Sequence, residues 1–241
     1  MRSYAIGDIH GRRDLLLAAH SLIAEDRVRT HDSAAPVVHV GDYVDRGEDV
    51  PGVLDHLSAG VARGEPWVLL KGNHDRMMWR FLEEPEQAEA HHWLSGNIGG
   101  RATLAAYGIE VSCDRPFEAM RADARAAVPQ AHLNLLSGLE NSYRRGGVFF
   151  CHAGIRPGVA LEDQTEDDLV WIRDTFLNDT RDHGALIVHG HTPVDAVTHY
   201  GNRVNLDSAA AYGGPLSAVV IEAGEVFLLT AEGRVPVRPA R

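Results

Sequence analysis

The chain is poor in several things, and each shortage excludes something. It has 2 cysteines in 241 residues, Cys113 and Cys151, too few for a disulfide framework, which fits a reducing compartment. It has no excess of positive charge: 23 Lys and Arg stand against 34 Asp and Glu, a formal net charge of −11. A protein that holds nucleic acid by neutralising phosphates is normally basic, so nucleic acid is not an expected partner. An anionic substrate has to be met by local groups, a few arginines or a metal. No apolar run approaches the ~18 residues of a membrane span. The opening Met1-Arg2-Ser3-Tyr4-Ala5-Ile6-Gly7-Asp8 turns polar too early for a signal peptide. A cytoplasmic protein without a membrane partner is expected. There is no Gly-x-Gly-x-x-Gly, no Walker A loop and no Gly-x-Ser-x-Gly elbow, so nothing supports nucleotide-cofactor redox chemistry, Walker-type NTP hydrolysis or a serine nucleophile.

What is present reads as one α/β domain over residues 1–241. Hydrophobic residues make up 44% and charged residues 24%, close to globular averages. Short apolar runs, bounded by glycine or polar residues, read as buried strands: Tyr4–Ile6, Val37–Val40, Trp67–Leu70, Val148–Cys151, Leu186–Val188, Ala196–His199, Val204–Leu206, Ala218–Ile221 and Val226–Leu229. Helical spacing separates the early ones, in Leu15, Leu16, Ala19, Leu22 and Ile23 and again in Val53, Leu54, Leu57 and Val61. That β-α-β-α-β opening implies parallel strands. Residues of about 76–137 lack strand character and read as a helical insertion, interrupted near Gly96–Gly100 and Pro116. The last third is strand-rich with hairpin turns. A parallel first half and a more antiparallel second half predict an α-β-β-α sandwich of two mixed sheets flanked by helices. The tail 233–241, with Pro236 and Pro239, is expected to fray.

The chemistry is positional. Five apolar runs each end in metal-ligand residue types: Gly7-Asp8-Ile9-His10-Gly11, Gly41-Asp42-Tyr43-Val44-Asp45-Arg46-Gly47, Gly72-Asn73-His74-Asp75, His152-Ala153-Gly154 and His189-Gly190-His191-Thr192. In open α/β sheets ligands bind beyond the carboxyl ends of strands, so neighbouring runs would bring these clusters to one rim. Asp, Asn and His without thiolate suit Mn²⁺, Fe or Zn²⁺ better than Ca²⁺. The candidates are too many for one tetrahedral zinc and fit two divalent metals sharing a carboxylate.

In this order the motifs resemble the calcineurin-like metallophosphoesterases, and within them the phosphoprotein phosphatase branch, with its small bacterial and phage serine/threonine phosphatases and diadenosine tetraphosphate hydrolases. The resemblance implies that Asp8 and His10 hold the first metal, that Asp42 bridges, and that Asn73, His152 and His191 hold the second. His74 would be the general acid, oriented by Asp45. Arg46 would bind substrate phosphate, with Arg173 or, alternatively, Arg156 as a second arginine. Manganese is the expected metal, with iron and zinc as alternatives. A hydroxide bridging the two metals would attack phosphorus in line. Pro193 stands where the wider superfamily often has a further metal-binding His, so the first metal would keep fewer protein ligands.

The chain carries little beyond this core, and from that a serine/threonine protein phosphatase acting on phosphoproteins is the expected function. The alternative is a dinucleoside polyphosphate hydrolase or nucleotide phosphatase, for which the insertion around Trp93 to Tyr107 would have to stack bases. A metal-binding scaffold without catalysis is a third reading, disfavoured because binding alone needs no proton donor such as His74. His189 is expected to be a buried hydrogen-bonded histidine or to support His191, and Cys151 to point into the core. His91-His92 reads as a helix face, and the run Glu162-Asp163…Glu166-Asp167-Asp168 as a solvated helix start.

Overall fold

The computed structural model describes residues 1–112 and 114–240, so Cys113 and Arg241 lie outside it. The first third builds the expected crossover. Strands β1 (Arg2–Ile6), β2 (Val37–His39) and β3 (Trp67–Leu69) run parallel, Tyr4 beside Val37 and Val37 beside Trp67. Between them, α1 (Arg13–Thr30) buries Leu16, Ala19 and Ile23, and α2 (Val50–Ala62) buries Val53, Leu54 and Leu57. Asp49 caps α2 by accepting from Gly52 N at 2.9 Å, next to Pro51 in the first turn. The insertion is helical as expected: α3 (Asn73–Glu83), α4 (Ala88–His92), α5 (Gly100–Ala106), α6 (Phe117–Ala127) and α7 (Gln130–Ser137). There follow β4 (Ser142–Arg145), β5 (Val148–Cys151), α8 (Glu166–Trp171), α9 (Asp174–Leu177), β6 (Leu186–His189), β7 (Thr198–His199), β8 (Arg203–Asn205), β9 (Ala218–Glu222), β10 (Glu225–Thr230) and β11 (Gly233–Pro236).

Two mixed sheets result, ordered β11-β10-β9-β1-β2-β3 and β4-β5-β6-β8-β7. Side-chain alternation sorts each strand between layers. Ala5, Val38, Phe150, Val188, Val204, Val219 and Ile221 fill the space between the sheets. Tyr4, Ile6, Val37 and Val220 turn instead to the helices over the first sheet, and Phe149, Cys151 and Ile187 to α8 and α9 over the second. The expected sandwich is therefore present, with one correction. The first half is parallel and the second more antiparallel, as expected, but the halves do not correspond one to each sheet. β9 and β10 return to the first sheet antiparallel to β1, whereas β5, β6 and β8 form a parallel core in the second.

The tail is a second correction. β11 pairs with β10, Leu228 beside Val235, and Ala240 N donates to His199 O at 2.7 Å. Pro236 is tolerated because β11 is an edge strand, where a missing N–H interrupts no ladder. Arg234 clamps the strap, reaching Asp26 at 2.7 and 2.8 Å and Glu222 at 2.8 Å. No helix among the described residues is long and apolar enough to cross a membrane.

Candidate metal centre

The carboxyl ends of β1, β2, β3, β5 and β6 open onto one rim, and the five clusters meet there. Close backbone approach is what the glycines supply. A Cβ at Gly72 would lie 2.1 Å from Asp42 Oδ1, and one at Gly190 would lie 1.9 Å from Asp8 Oδ1. Any side chain at either position would displace a buried carboxylate. The rim is also strained. His10, Asp42, Asp45, Arg46 and His191 have φ of 45, 56, 72, 67 and 68°. Left-handed backbone at residues other than glycine costs on the order of 1–3 kcal/mol each and persists where the surroundings over-determine it.

Two sets of ligand atoms lie within 4.8 Å of one another: His10, Asp42 and His74, and Asp42, His152 and His191. Asp42 belongs to both. Burial opposes its ionisation, but the ring of His152, His74, His10 and His191 outweighs that and draws its pKa down. His152 places the strongest constraint on the site. Its Nδ1–H donates to Val40 O at 2.9 Å, which leaves Nε2 as a lone pair. That lone pair faces Asn73 Oδ1 at 3.0 Å and Asp42 Oδ2 at 3.4 Å, both acceptors. His10 repeats the pattern, with Nδ1–H to Val44 O at 2.8 Å and Nε2 turned to Asp42 Oδ2 at 3.4 Å. His10 and His152 are both buried, and burial lowers their pKa, His10 to about 3, so a second ring proton does not relieve the contact. Asp8 receives His191 N at 3.0 Å on Oδ2, while its buried Oδ1 has no partner. The atoms that face His152 Nε2 are themselves acceptors, a meeting that fits a divalent cation between them, and the O/N set fits a borderline-hard one.

Beside this centre His74 Nδ1 donates to Asp45 Oδ2 at 2.6 Å. Asp45 is fully buried and also receives Trp93 Nε1 at 2.9 Å and Thr103 Oγ1 at 2.6 Å. Burial alone would lower the His74 pKa; the carboxylates of Asp42 and Asp45 outweigh it and raise it. Arg46 bridges the imidazoles, Nη1 to His10 Nε2 at 2.9 Å and Nη2 to His74 Nε2 at 3.0 Å. Arg173 Nε donates to His191 Nε2 at 3.1 Å.

Residues 1–221 match the family of calcineurin-like phosphoesterases. The chain belongs to that family. Among curated proteins it is similar to the asymmetrical bis(5'-nucleosyl)-tetraphosphatases PrpE of Anoxybacillus flavithermus, 27% identical over 89% of this chain and 88% of the relative. The same protein of Geobacillus thermodenitrificans is 25% identical at the same coverage. Among solved structures, one described as a diadenosine tetraphosphatase superposes with a TM-score of 0.65 at 21% identity, over 99% of this chain and 95% of that one. A cold-active protein-tyrosine phosphatase superposes with a TM-score of 0.67 at 16% identity, over 99% and 79%. Both share the fold.

In this calcineurin-like phosphoesterase the expected ligand residues, His74, Asp45, Arg46 and Arg173 all stand at the rim. Arg156 does not join them. Its Nε and Nη2 are engaged by Asp168 at 2.9 and 2.5 Å, because Thr165 caps α8 and holds that carboxylate beside it. Trp93 and Tyr107 do not join them either: Trp93 is fully buried against Phe81, and the Tyr107 hydroxyl lies 2.7 Å from His132 Nδ1. His189 is a buried histidine packed on Phe176, and Cys151 is a buried free thiol whose pKa burial raises. The acidic run is ion-paired rather than merely solvated, Glu166 with Lys71 and Arg76, and Asp167 with Arg76.

Two carboxylates carry more than the sequence reading gave them. Asp75 receives Gly72 N, Asp42 N and Tyr43 N at 2.8–2.9 Å and so ties two ligand loops together. Asp207, buried at the end of β8, was missed. Burial first, then the charge of Asp42, pushes its carboxyl up to about 6, and it raises the pKa of Asp8 in turn. The Val204–Leu206 run ends in an Asp just as two of the five singled-out runs do, and that was the available signal.

Proposed function

We propose that this phosphoesterase hydrolyses dinucleoside polyphosphates with two divalent cations. The acceptor-only meeting of His152 Nε2, Asn73 Oδ1 and Asp42 Oδ2 carries the reaction class. The substrate class is supported by curated relatives named as bis(5'-nucleosyl)-tetraphosphatases that align over 89% of the chain. They move the assignment from phosphoproteins, which the brevity of the chain favoured, to the nucleotide alternative.

Asp8, His10 and Asp42 would hold one cation, and Asp42, Asn73, His152 and His191 the other. Bound there, the pair supplies Lewis-acid polarisation of the phosphoryl oxygens and acidifies water toward neutrality. Arg46 and Arg173 hold the phosphate oxygens and neutralise charge as it spreads in the transition state. His74 donates the proton the leaving oxygen needs. Its Nδ1–H is fixed on Asp45, so the transferable proton sits on Nε2, the atom Arg46 now contacts at 3.0 Å. Arg46 therefore leaves His74 for the substrate phosphate, and the imidazolium formed is favoured by both neighbouring carboxylates.

A panel of diadenosine tetraphosphate, p-nitrophenyl phosphate and a phosphoserine peptide, run with manganese-loaded and chelator-stripped protein, tests this. Metal-dependent cleavage of the dinucleotide well above the peptide is expected. Brisk peptide turnover with no dinucleotide cleavage would return the assignment to a protein phosphatase.

A further inference from the structure

The nucleotide reading leaves a question open: what would hold the half of the substrate away from the cations, now that Trp93 and Tyr107 are turned inward? A cavity of about 660 Å³ beside Arg46, with no residue of the insertion among its lining, answers it. Its walls come from residues 11–14 after β1, from residues 46–49 after β2, and from Ala211. The volume falls within the usual range for small-ligand sites. Arg46 lines it and also touches His10 and His74, so the cavity adjoins the centre through that side chain.

Its chemistry is mixed in a particular way. Arg12 is held as a fork by Asp14, at 3.0 and 2.7 Å. Arg13 is half exposed and only 3.6 Å from Asp49, so it is free to turn onto an anion. Glu48 lines the same cavity without an ion-pair partner among the described residues. A receptor for phosphate alone has little use for carboxylates. A nucleotide has: guanidiniums take its phosphates and carboxylates accept its ribose hydroxyls.

At the edge stands Tyr212, 65% exposed, with Arg46 Cζ 5.2 Å from its ring centroid. One ring face meets the guanidinium and the rest is open. The turn that carries it is fastened. Ala209 adopts φ of 63° and Gly213 φ of 91°; Asp207 Oδ1 accepts Ala209 N at 3.1 Å. Ser208 Oγ donates to Pro215 O at 2.8 Å, and Arg12 Nη1 reaches Ala210 O at 3.4 Å. A left-handed alanine is a local cost, here tied to a buried carboxylate beside the cation site, and its effect is to hold an aromatic ring in solvent.

We infer that this cavity receives the second nucleoside half of a dinucleoside polyphosphate, with Tyr212 stacking its base, Arg13 meeting the bridging phosphates and Glu48 the ribose. The inference rests on the proposed function. Tyr212 is exposed, so its truncation spares the core. In manganese-loaded protein, Tyr212→Ala is expected to lower kcat/KM for diadenosine tetraphosphate, relative to that for p-nitrophenyl phosphate, on the order of tenfold, chiefly through KM, as one lost base–aromatic stack implies. Tyr212→Phe is expected to keep the ratio, and Arg13→Ala to raise KM for the dinucleotide. An unchanged ratio in Tyr212→Ala, with the wild-type protein cleaving the dinucleotide, overturns the subsite and leaves the substrate class standing. Wild-type protein that cleaves p-nitrophenyl phosphate but not the dinucleotide overturns the substrate class and the subsite with it.

Discussion

At the scale of residues, the site divides into groups that would meet cations, groups that would meet phosphate, and groups that aim these. His74→Asn is expected to lower kcat by ~10²–10⁴ while leaving the metal content measured by elemental analysis intact. Lost metal with lost activity would instead make His74 a ligand, which its place in the first ligand set allows. Arg156→Ala is expected to leave kcat/KM within about twofold, because its guanidinium belongs to Asp168. Asp207→Asn is expected to weaken manganese binding, read by calorimetry, because it removes a buried negative charge that acts on Asp8 and Asp42. The types and order of the ligands were legible in the sequence because each cluster follows an apolar run and contains a glycine. The tautomers of His10 and His152 were not, since Val44 O and Val40 O select them from other segments. Nor were the left-handed φ values at His10, Asp42 and Asp45, which the tolerance of Asp and His for that region permits without specifying.

Among elements, the helical insertion matters by one indole. Trp93, just beyond α4, and Thr103 on α5 reach back to Asp45 and fix the carboxylate that aims His74. Trp93→Phe keeps an aromatic ring beside Phe81 while removing the donor and part of the buried ring volume. It is expected to shift the pH profile of kcat and lower the maximum several-fold, with little change in KM for small phosphate esters. An unaltered profile would make Trp93 a packing residue alone. The insertion was legible as helices, whereas the direction Trp93 faces was set by tertiary packing. β4, Ser142-Tyr143-Arg144-Arg145, escaped notice because an edge strand with polar residues carries no apolar alternation. The tail escaped for the opposite reason: its prolines read as breaks, while the Arg234 clamp that holds it lies over 200 residues away in sequence, at Asp26. Burial raises the pKa of Asp26, but the hydrogen bonds from Arg234 and Tyr4 outweigh it and lower it below its ordinary value. The clamp therefore stabilises the fold above the unfolded carboxyl pKa, ~3.9, and is lost as pH falls through the lower folded value. Arg234→Ala is expected to cost about 1–3 kcal/mol in urea unfolding at pH 7, a difference that shrinks below about pH 4.

For the molecule as a whole, the centre gathers Asp8, Asp42, Asp75 and Asp207 into its interior, all buried, with burial raising three of the four pKa values against the histidines and backbone donors around them. A chelator is expected to lower Tm. At a hundredfold excess over Kd, one cation adds about 2.7 kcal/mol to stability. Asp8→Asn is expected to narrow the gap between metal-loaded and stripped protein; no shift in Tm on chelation would argue against a cation in this site. The sandwich itself was legible from periodicity, but the sorting of strands between sheets was not, because it depends on where the chain returns. That return has a consequence for synthesis. β1 lies between β2 and β9, so the strand made first waits for residues 218–222 to close its second edge. A ribosome must deliver nearly the whole polypeptide before the first sheet can close, and until then β1 keeps one open hydrogen-bonding edge on which chaperones or neighbouring nascent chains can act.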